Sequence, residues 1–220
     1  MMLKADVHVH STESDGSIEP HEVILLAKKR GLDVVAITDH DTFKGSIAAQ
    51  RYSRLSVDKI LVLAGAEVST EWGHILVLCE KAPQWILSRD PYELKERASK
   101  DNCVLIASHP FDVTQSSVRT KIFTERGFFD GVEVWNASSL PVFNLLTLIL
   151  ADKVKAAWLA SSDAHVPEEV GAAFSLVDSD SANADSVLEA IRKGRTAPYP
   201  GLLGLRALSN RLAWSLYRRL

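Results

Sequence analysis

Six of the seven histidines of this 220-residue chain fall in short polar clusters separated by apolar runs. The first cluster is Asp6-Val7-His8-Val9-His10, and alternate residues of an extended chain face the same way, so His8 and His10 can grip one ion together. Ser14-Asp15-Gly16 follows as a turn. Further along stand Ile37-Thr38-Asp39-His40-Asp41, Gly65-Ala66-Glu67, His74, Ser108-His109-Pro110 and Ser161-Ser162-Asp163-Ala164-His165. The last repeats the two-residue spacing with one carboxylate and one imidazole. Imidazoles and carboxylates without a thiolate are the donor set that borderline and hard divalent cations prefer. Nine candidate ligands overfill one tetrahedral site, so two or three ions are the economical reading. Taken singly, each fragment also has a plain structural reading. A His-x-His pair can be satisfied in a core, Asp15-Gly16 is a common turn pair, Asp39-His40-Asp41 can be a polar loop and Glu67 a surface acid. Order and placement together carry the argument.

The elements that must position these residues are short β-branched runs alternating with amphipathic stretches. Ala5–His8, Val34–Thr38, Ile60–Glu67, His74–Leu78, Val104–Ser108, Gly131–Trp135 and Ala156–Ser161 read as strands. A helix opens at Glu19-Pro20 and closes at Gly31, with Lys28, Lys29 and Arg30 suited to the dipole of its last turn. Asp90-Pro91-Tyr92-Glu93 opens another, and Pro141–Asp152 and Asp185–Lys193 are two more. Such alternation predicts a largely parallel sheet, open or closed into a barrel. In a barrel the chemistry sits at the carboxyl ends of the strands, and the polar clusters fall there.

Composition narrows the class. With 25 basic and 28 acidic residues the net charge is −3, so a protein that wraps nucleic acid through bulk charge is not expected. The sequence start lacks the basic and apolar regions of a signal peptide, and the most lipid-like run, Val142 to Ala151, is too short to span a bilayer. A single cytoplasmic domain is the expectation. Cys79 and Cys103 form no CxxC pair and no disulfide framework, and read as small buried hydrophobes.

Taken in order, the motifs quoted above resemble the series of the PHP family, named for polymerase and histidinol phosphatase, from about Ala5 to Gly171. The resemblance implies an α/β fold, a distorted seven-stranded (β/α) barrel, over residues 1–200. It also implies up to three divalent ions, commonly zinc, manganese or iron. Carried over position by position, His8, His10, Glu67 and Asp163 hold the first ion. Glu67 bridges to a second with His74 and His109, and Asp15, His40 and His165 hold the third. Many relatives have histidine where this chain has Asp15; the small phosphoesterase-like branch shares the aspartate.

Three divalent ions would bring six positive charges against three negative ones from Asp15, Glu67 and Asp163, a pocket that favours a phosphate dianion. Two ions bridged by Glu67 would lower the pKa of a shared water and give a hydroxide nucleophile. The expected activity is therefore metal-dependent hydrolysis of a phosphomonoester or short phosphodiester, with Glu67, His40, Asp163 and His165 at its catalytic centre. An exonuclease acting on short single strands and a noncatalytic metal-binding regulatory module are the alternatives. Asp39 and Asp41 are candidates for orienting the imidazoles. Asn136 and Arg119 are the candidate substrate-binding residues, with Lys44, Lys121 and Arg195 as further clamps. Longer members of the family carry an inserted segment between the strand of His74 and that of His109; here only residues 79–103 fill that gap, so the resemblance implies a pocket without that cap, open to oligonucleotides or several small phosphates. His21, Trp72 and Trp85 read as structural. Residues 201–220 carry Leu205, Leu208, Leu212 and Leu216 at helical spacing, with Arg206, Arg211, Arg218 and Arg219 between them. This segment reads as an amphipathic helix docked on the barrel, with a homo-oligomer contact or a membrane surface as alternatives.

Overall fold

A computed structural model describes residues 1–56 and 60–218; Arg219 and Leu220 of the C-terminal segment lie outside the described residues. The strands are β1 (Met2–Val9), β2 (Val34–Ile37), β3 (Leu61–Thr70), β4 (Gly73–Cys79), β5 (Val104–Ala107), β6 (Gly131–Asn136), β7 (Ala157–Ser161), β8 (Phe174–Asp178) and β9 (Thr196–Tyr199). The helices are α1 (Pro20–Lys29), α2 (Lys44–Leu55), α3 (Pro91–Lys100), α4 (Lys121–Thr124), α5 (Pro141–Ala151), α6 (Ala184–Arg192) and α7 (Leu205–Tyr217). One sheet runs in the order β7-β6-β5-β4-β3-β2-β1-β8-β9 and curls into a nearly closed barrel. At the carboxyl rim, β7 meets β1 through the bridge Val9↔Ala164 and the bonds from His10 N to the Ala164 carbonyl (2.8 Å) and from Asp163 N to that of His8 (2.9 Å). Lower down, the wedge is filled by β8 and β9: Ser175 Oγ joins both backbone groups of Ala160, and Thr196 Oγ1 donates to the Trp158 carbonyl.

The barrel has two strands more than expected, and it is less parallel. Only β1/β2, β2/β3, β5/β6 and β6/β7 pair in parallel; β4 runs against both of its neighbours, and β8 against β1 and β9. The reversal of β4 matters for the site. An antiparallel strand brings its first residues, not its last, to the carboxyl rim of its neighbours, which is how His74 reaches the same end as Glu67 and His109.

Strand alternation divides the apolar residues into an inner and an outer set. Leu3, Ala5, Val7, Val34, Ala36, Leu63, Leu76, Leu78, Val104, Ile106 and Leu159 fill the interior, and α6 stoppers it with Val187, Leu188 and Ile191. Val9, Val35, Ile37 and Val62 face α1 and α2, whereas Ala66, Val77, Leu105 and Val134 face the α3 side. Cys79 and Cys103 are buried but not free. The pairing of Leu78 with Val104 sets them opposite each other at the next position, where they form a disulfide. Spacing alone hid this bridge, because residues 80–102 leave the sheet and return between the two sulfurs. None of the described helices is long and apolar enough to cross a membrane.

Helix α7 docks by the face opposite to the one its leucines suggest. Ala207 is buried, Asn210 donates to Glu168, and Arg211, Trp214 and Arg218 bond to the barrel's loops. Leu205, Leu208, Leu212 and Leu216 stay exposed. The helix is held by polar bonds to the loops at the carboxyl rim rather than by an apolar stripe.

Candidate metal centre

On β3, β4 and β7 the inner face changes from apolar to polar as it approaches the carboxyl rim. On β3 the inward series Leu63, Gly65 ends in Glu67; on β4, Leu78 and Leu76 lead back to His74; after β7, Leu159 and Ser161 lead to Asp163. The first strand needs a correction to its alternation. Leu3, Ala5 and Val7 point inward but Val9 points out, and the pairing with β2 slips between Asp6 and Val9. That irregularity turns His8 and His10 into the mouth, a common use of a bulge beside a site. His109 and Asp163 adopt left-handed backbone conformations, with φ of 29° and 51°. This costs a non-glycine residue roughly 1–2 kcal/mol and aims each side chain back over the barrel.

All nine candidate ligands converge, with Glu67 at the centre. Glu67 Oε2 lies 3.5 Å from His8 Nε2, 3.4 Å from His10 Nε2 and 3.2 Å from His40 Nδ1. Its Oε1 lies 3.2 Å from His74 Nδ1 and 3.1 Å from His109 Nε2. Asp163 Oδ1 is 3.6 Å from His8 Nε2 and 3.3 Å from His10 Nε2. Asp15 meets His10 Nδ1 at 3.3 Å, His40 Nε2 at 3.8 Å and His165 Nε2 at 3.2 Å. Two donors each about 2.1 Å from one ion stand roughly 3.0–3.4 Å apart, so most of these separations are those of ligands around a shared cation. Among the described residues, three groups are compact enough to hold an ion: His10, Asp15, His40 and His165; His8, His10 and Glu67; and His40, Glu67 and His74. These groups share His10 and His40, which the sequence reading gave to one ion each.

The residues fit a metal on a second count. His10 Nδ1, His40 Nδ1 and His74 Nδ1 are buried without a hydrogen-bond partner, a costly state for a polar atom unless something electrophilic is bound there. With six imidazoles, three carboxylates and both cysteines tied up in a disulfide, the donor set suits a divalent ion.

Behind the ligands lies a layer that orients them. Glu133 on β6, buried to 1% exposure and overlooked in the sequence, pairs its Oε1 with His8 Nδ1 at 3.0 Å. Its Oε2 accepts from His109 N (2.7 Å) and Asn136 Nδ2 (2.9 Å), and Ser161 Oγ donates to Oε1. A carboxylate on the far nitrogen of a ligand histidine fixes the ring and its tautomer. The signal was present as a lone acid in Gly131-Val132-Glu133-Val134, an otherwise apolar strand. Ser108 Oγ donates to Glu67 Oε1 at 2.7 Å. Asp39, expected to orient imidazoles, instead accepts from Ser11 N, Ser11 Oγ and Ser14 Oγ, each at 2.7 Å, and so holds the turn that carries Asp15. That turn closes tightly: a Cβ on Gly16 would stand 2.4 Å from the His10 carbonyl oxygen. Asp41 accepts from Ser69 N and touches no imidazole ligand.

The electrostatics divide the imidazoles. Burial disfavours charge on His8, yet Asp163, Glu67 and Glu133 outweigh it and hold its pKa well above the ordinary range. His10 is likewise pushed up to about 9 by Asp163 and Glu67 against the effect of burial. Against their own burial, Glu67 is held well below the carboxylate range by His8, His10 and His109, and Asp163 by His8, His10 and His165. His40 and His165 go down, through burial first and then the charge of His10. A divalent ion binding here therefore competes with protons for these imidazoles.

The proposed substrate contacts fare differently from the ligands. Asn136 is fully buried and donates to Asp163 Oδ2 at 3.1 Å, so it stands behind a ligand rather than facing the mouth. The Arg119 side chain is exposed and meets none of the nine; its backbone N bonds the Pro110 carbonyl. Lys44 is exposed, Lys121 lies over the Trp72 ring and Arg195 pairs with Asp180. Among the described residues, the cations that do reach the centre are Arg211 of α7 and Arg218 at its C-terminal cap. Arg211 Nη2 donates to the Asp163 carbonyl (3.2 Å) and to His165 Nδ1 (2.5 Å), and Arg218 Nη1 lies 2.9 Å from Asp15 Oδ2.

Comparison with known proteins gives the family and the fold. Residues 6–129 match the PHP domain family and residues 141–196 a PHP-associated family. An uncharacterized protein of Methanocaldococcus jannaschii is 32% identical over 148 residues, 61% of this chain and 82% of that protein. A 3′,5′-nucleoside bisphosphate phosphatase of Chromobacterium violaceum is 40% identical over 73 residues, 33% of this chain but only 25% of the enzyme. A two-domain protein of Bacteroides vulgatus, described as containing a predicted PHP-like metal-dependent phosphoesterase, superposes with a TM-score of 0.74. That superposition covers 91% of this chain and 65% of the other at 20% identity, a likeness of fold.

Proposed function

We propose that this chain, which belongs to the PHP family, is a metal-dependent phosphoesterase acting on phosphomonoesters or short phosphodiesters. The observation that carries the reading is the gathering of nine ligand-type side chains into one cluster, five imidazoles of it directly around Glu67, with three buried imidazole nitrogens left without a hydrogen-bond partner. His8, His10, Asp15, His40, Glu67, His74, His109, Asp163 and His165 are the proposed ligands of two or three divalent ions, with zinc, manganese and iron the candidates. Bound there, such ions supply Lewis acidity, charge neutralisation and a water of lowered pKa.

The chain's own residues do the rest. Glu67 presents one carboxylate oxygen to each side of the cluster, the arrangement a bridging ligand needs. Glu133 and Asn136 hold His8 and Asp163 in place, so the inner ligands need not reorganise when substrate binds. Asp15, His40, His74 and His165 keep side-chain exposures of 14–29%, and through them the centre opens to solvent. Residues 80–103, which would cap the mouth if they folded inward, instead carry α3 against the outer core around Leu94, Ala98 and Trp85. A mouth left open beside α7 admits small phosphates and the end of a short oligonucleotide alike. No serine or cysteine nucleophile is required.

The test is hydrolysis of p-nitrophenyl phosphate, bis-p-nitrophenyl phosphate and a 5′-phosphorylated oligonucleotide by protein whose metal content has been measured. Turnover that disappears on chelation and returns with a divalent ion is expected. Inactivity on all three with two or more ions bound per chain would overturn the proposal.

A further inference from the structure

Two guanidinium groups descend from α7 onto the mouth of the centre, and they are not equivalent. Arg211 and Arg218 are seven residues apart, two helical turns, and so share a face. Arg211 is fully engaged. Its Nη1 donates to Ser138 Oγ and lies 3.5 Å from the buried Glu169 carboxylate, while Nη2 serves the Asp163 carbonyl and His165. Arg218 meets a single acidic residue among those described, Asp15, through Oδ2 at 2.9 Å and the backbone carbonyl at 2.8 Å, and keeps 39% of its side chain exposed. Trp214, one turn earlier, donates its indole N–H to the same Asp15 carbonyl at 2.8 Å and so fixes the helix against this turn.

Asp15 has too many claims on one negative charge. Its carboxylate already faces His10, His40 and His165, and under the function proposed above it is a ligand of a divalent cation. A divalent cation on Asp15 draws on that one negative charge, so in a metal-loaded centre Arg218 keeps positive charge that Asp15 no longer offsets and can offer it to an anion. The group stands at the open side, and its planar fork matches two oxygens of a phosphate.

We propose that Arg218 is a substrate-contacting residue that grips the phosphate at the mouth, with Trp214 and Arg211 as the residues that position it. The proposal rests on the phosphoesterase reading, but its test separates the two. Inorganic phosphate is titrated calorimetrically into metal-loaded, full-length protein and its Arg218→Gln and Arg218→Lys variants, with ions per chain measured for each. Arg218→Gln is expected to weaken phosphate binding about tenfold or more, the scale of a lost charge-assisted bond, at unchanged metal content. Arg218→Lys should fall between it and the parent, since it keeps the charge but loses the fork. With p-nitrophenyl phosphate the loss should appear in KM, and kcat should stay within about twofold.

Equal phosphate affinity in Arg218→Gln and the parent, at equal metal content, overturns the proposal and leaves metal-dependent hydrolysis standing. Loss of an ion in Arg218→Gln also overturns it, because Arg218 then serves only to hold Asp15. Failure of the parent to bind phosphate overturns it too. Phosphate binding that depends on Arg218 in a protein with no hydrolytic activity sinks the phosphoesterase reading instead. If Arg218→Gln does not fold, as judged by circular dichroism, Arg218→Lys alone decides: unchanged affinity there counts against the assignment.

Discussion

The inner and outer halves of the ligand cluster are built by different means. His8, His10, Glu67, His109 and Asp163 are buried, sit on strand ends or the first residues beyond them, and are backed by Glu133, Asn136 and Ser108. Asp15, His40, His74 and His165 are partly exposed, and two of them stand on turns held by Asp39 and by α7. Their electrostatics differ in the same sense, with the inner His8 and His10 shifted up by surrounding carboxylates and the outer His40 and His165 shifted down. Burial on rigid strands gives the inner half a fixed geometry in a low dielectric. Placement on loops, or for His74 at the very start of β4, leaves the outer half open to solvent. One half should therefore control whether ions bind at all, and the other which substrate meets them.

The largest expected effect is at the residue that joins the two halves. Glu67→Gln should lower kcat by about a thousandfold or more and remove at least one ion per chain. Metal analysis beside a hydrolysis assay checks both. Asp15→Asn, by contrast, should spare the inner ions and lose the outer one, with a smaller loss of rate. If Asp15→Asn empties the whole centre, the two halves are one unit and the contrast drawn above fails.

A step down in magnitude comes the layer behind the inner half. Glu133→Gln keeps the shape of the side chain but withdraws the charge that fixes His8. Metal affinity should fall about 10–100-fold, the usual cost of losing such a partner, while excess metal restores most of the rate. A competition titration against a chromogenic chelator measures this. An unchanged affinity would mean that strand rigidity alone orients His8.

How much of this was legible follows from what each residue's neighbours in sequence could reveal. The inner ligands were readable because their strands are apolar and alternating, so a histidine or acid at the end of such a run stands out. The barrel and its active rim followed from the strand–helix order. Helix α2 was not read, since its Lys-Gly-Ser-Ile start lacks a side-chain cap and its sequence is largely polar. Strands β8 and β9 escaped because each is only four or five residues long and one contains Pro198. The reversal of β4 and the slip in β1 are tertiary facts that no local pattern encodes. Arg211 and Arg218 were visible as charges, yet the leucine stripe beside them argued for the opposite docking face. A helix held by hydrogen bonds to loop carbonyls leaves no hydrophobic period to find.

The smallest effect on the centre is expected from the strongest covalent link near it. The Cys79–Cys103 bridge joins β4 to β5 at the end away from the ligands. His74 lies five residues back along β4, about 17 Å at the usual rise of an extended strand. Closing the loop of 24 residues should stabilise the fold by about 3 kcal/mol, mainly through the unfolded chain. The double variant Cys79→Ala, Cys103→Ala should therefore melt several degrees lower and yet hold the same ions and hydrolyse at the parent rate well below its melting point. Thermal unfolding followed beside metal content and turnover separates the two quantities. Were the rate to fall with the stability, His74 and His109 would owe their positions to the base of the hairpin as well as to Glu67. The line between ligand-bearing rim and supporting barrel would then have to be drawn lower.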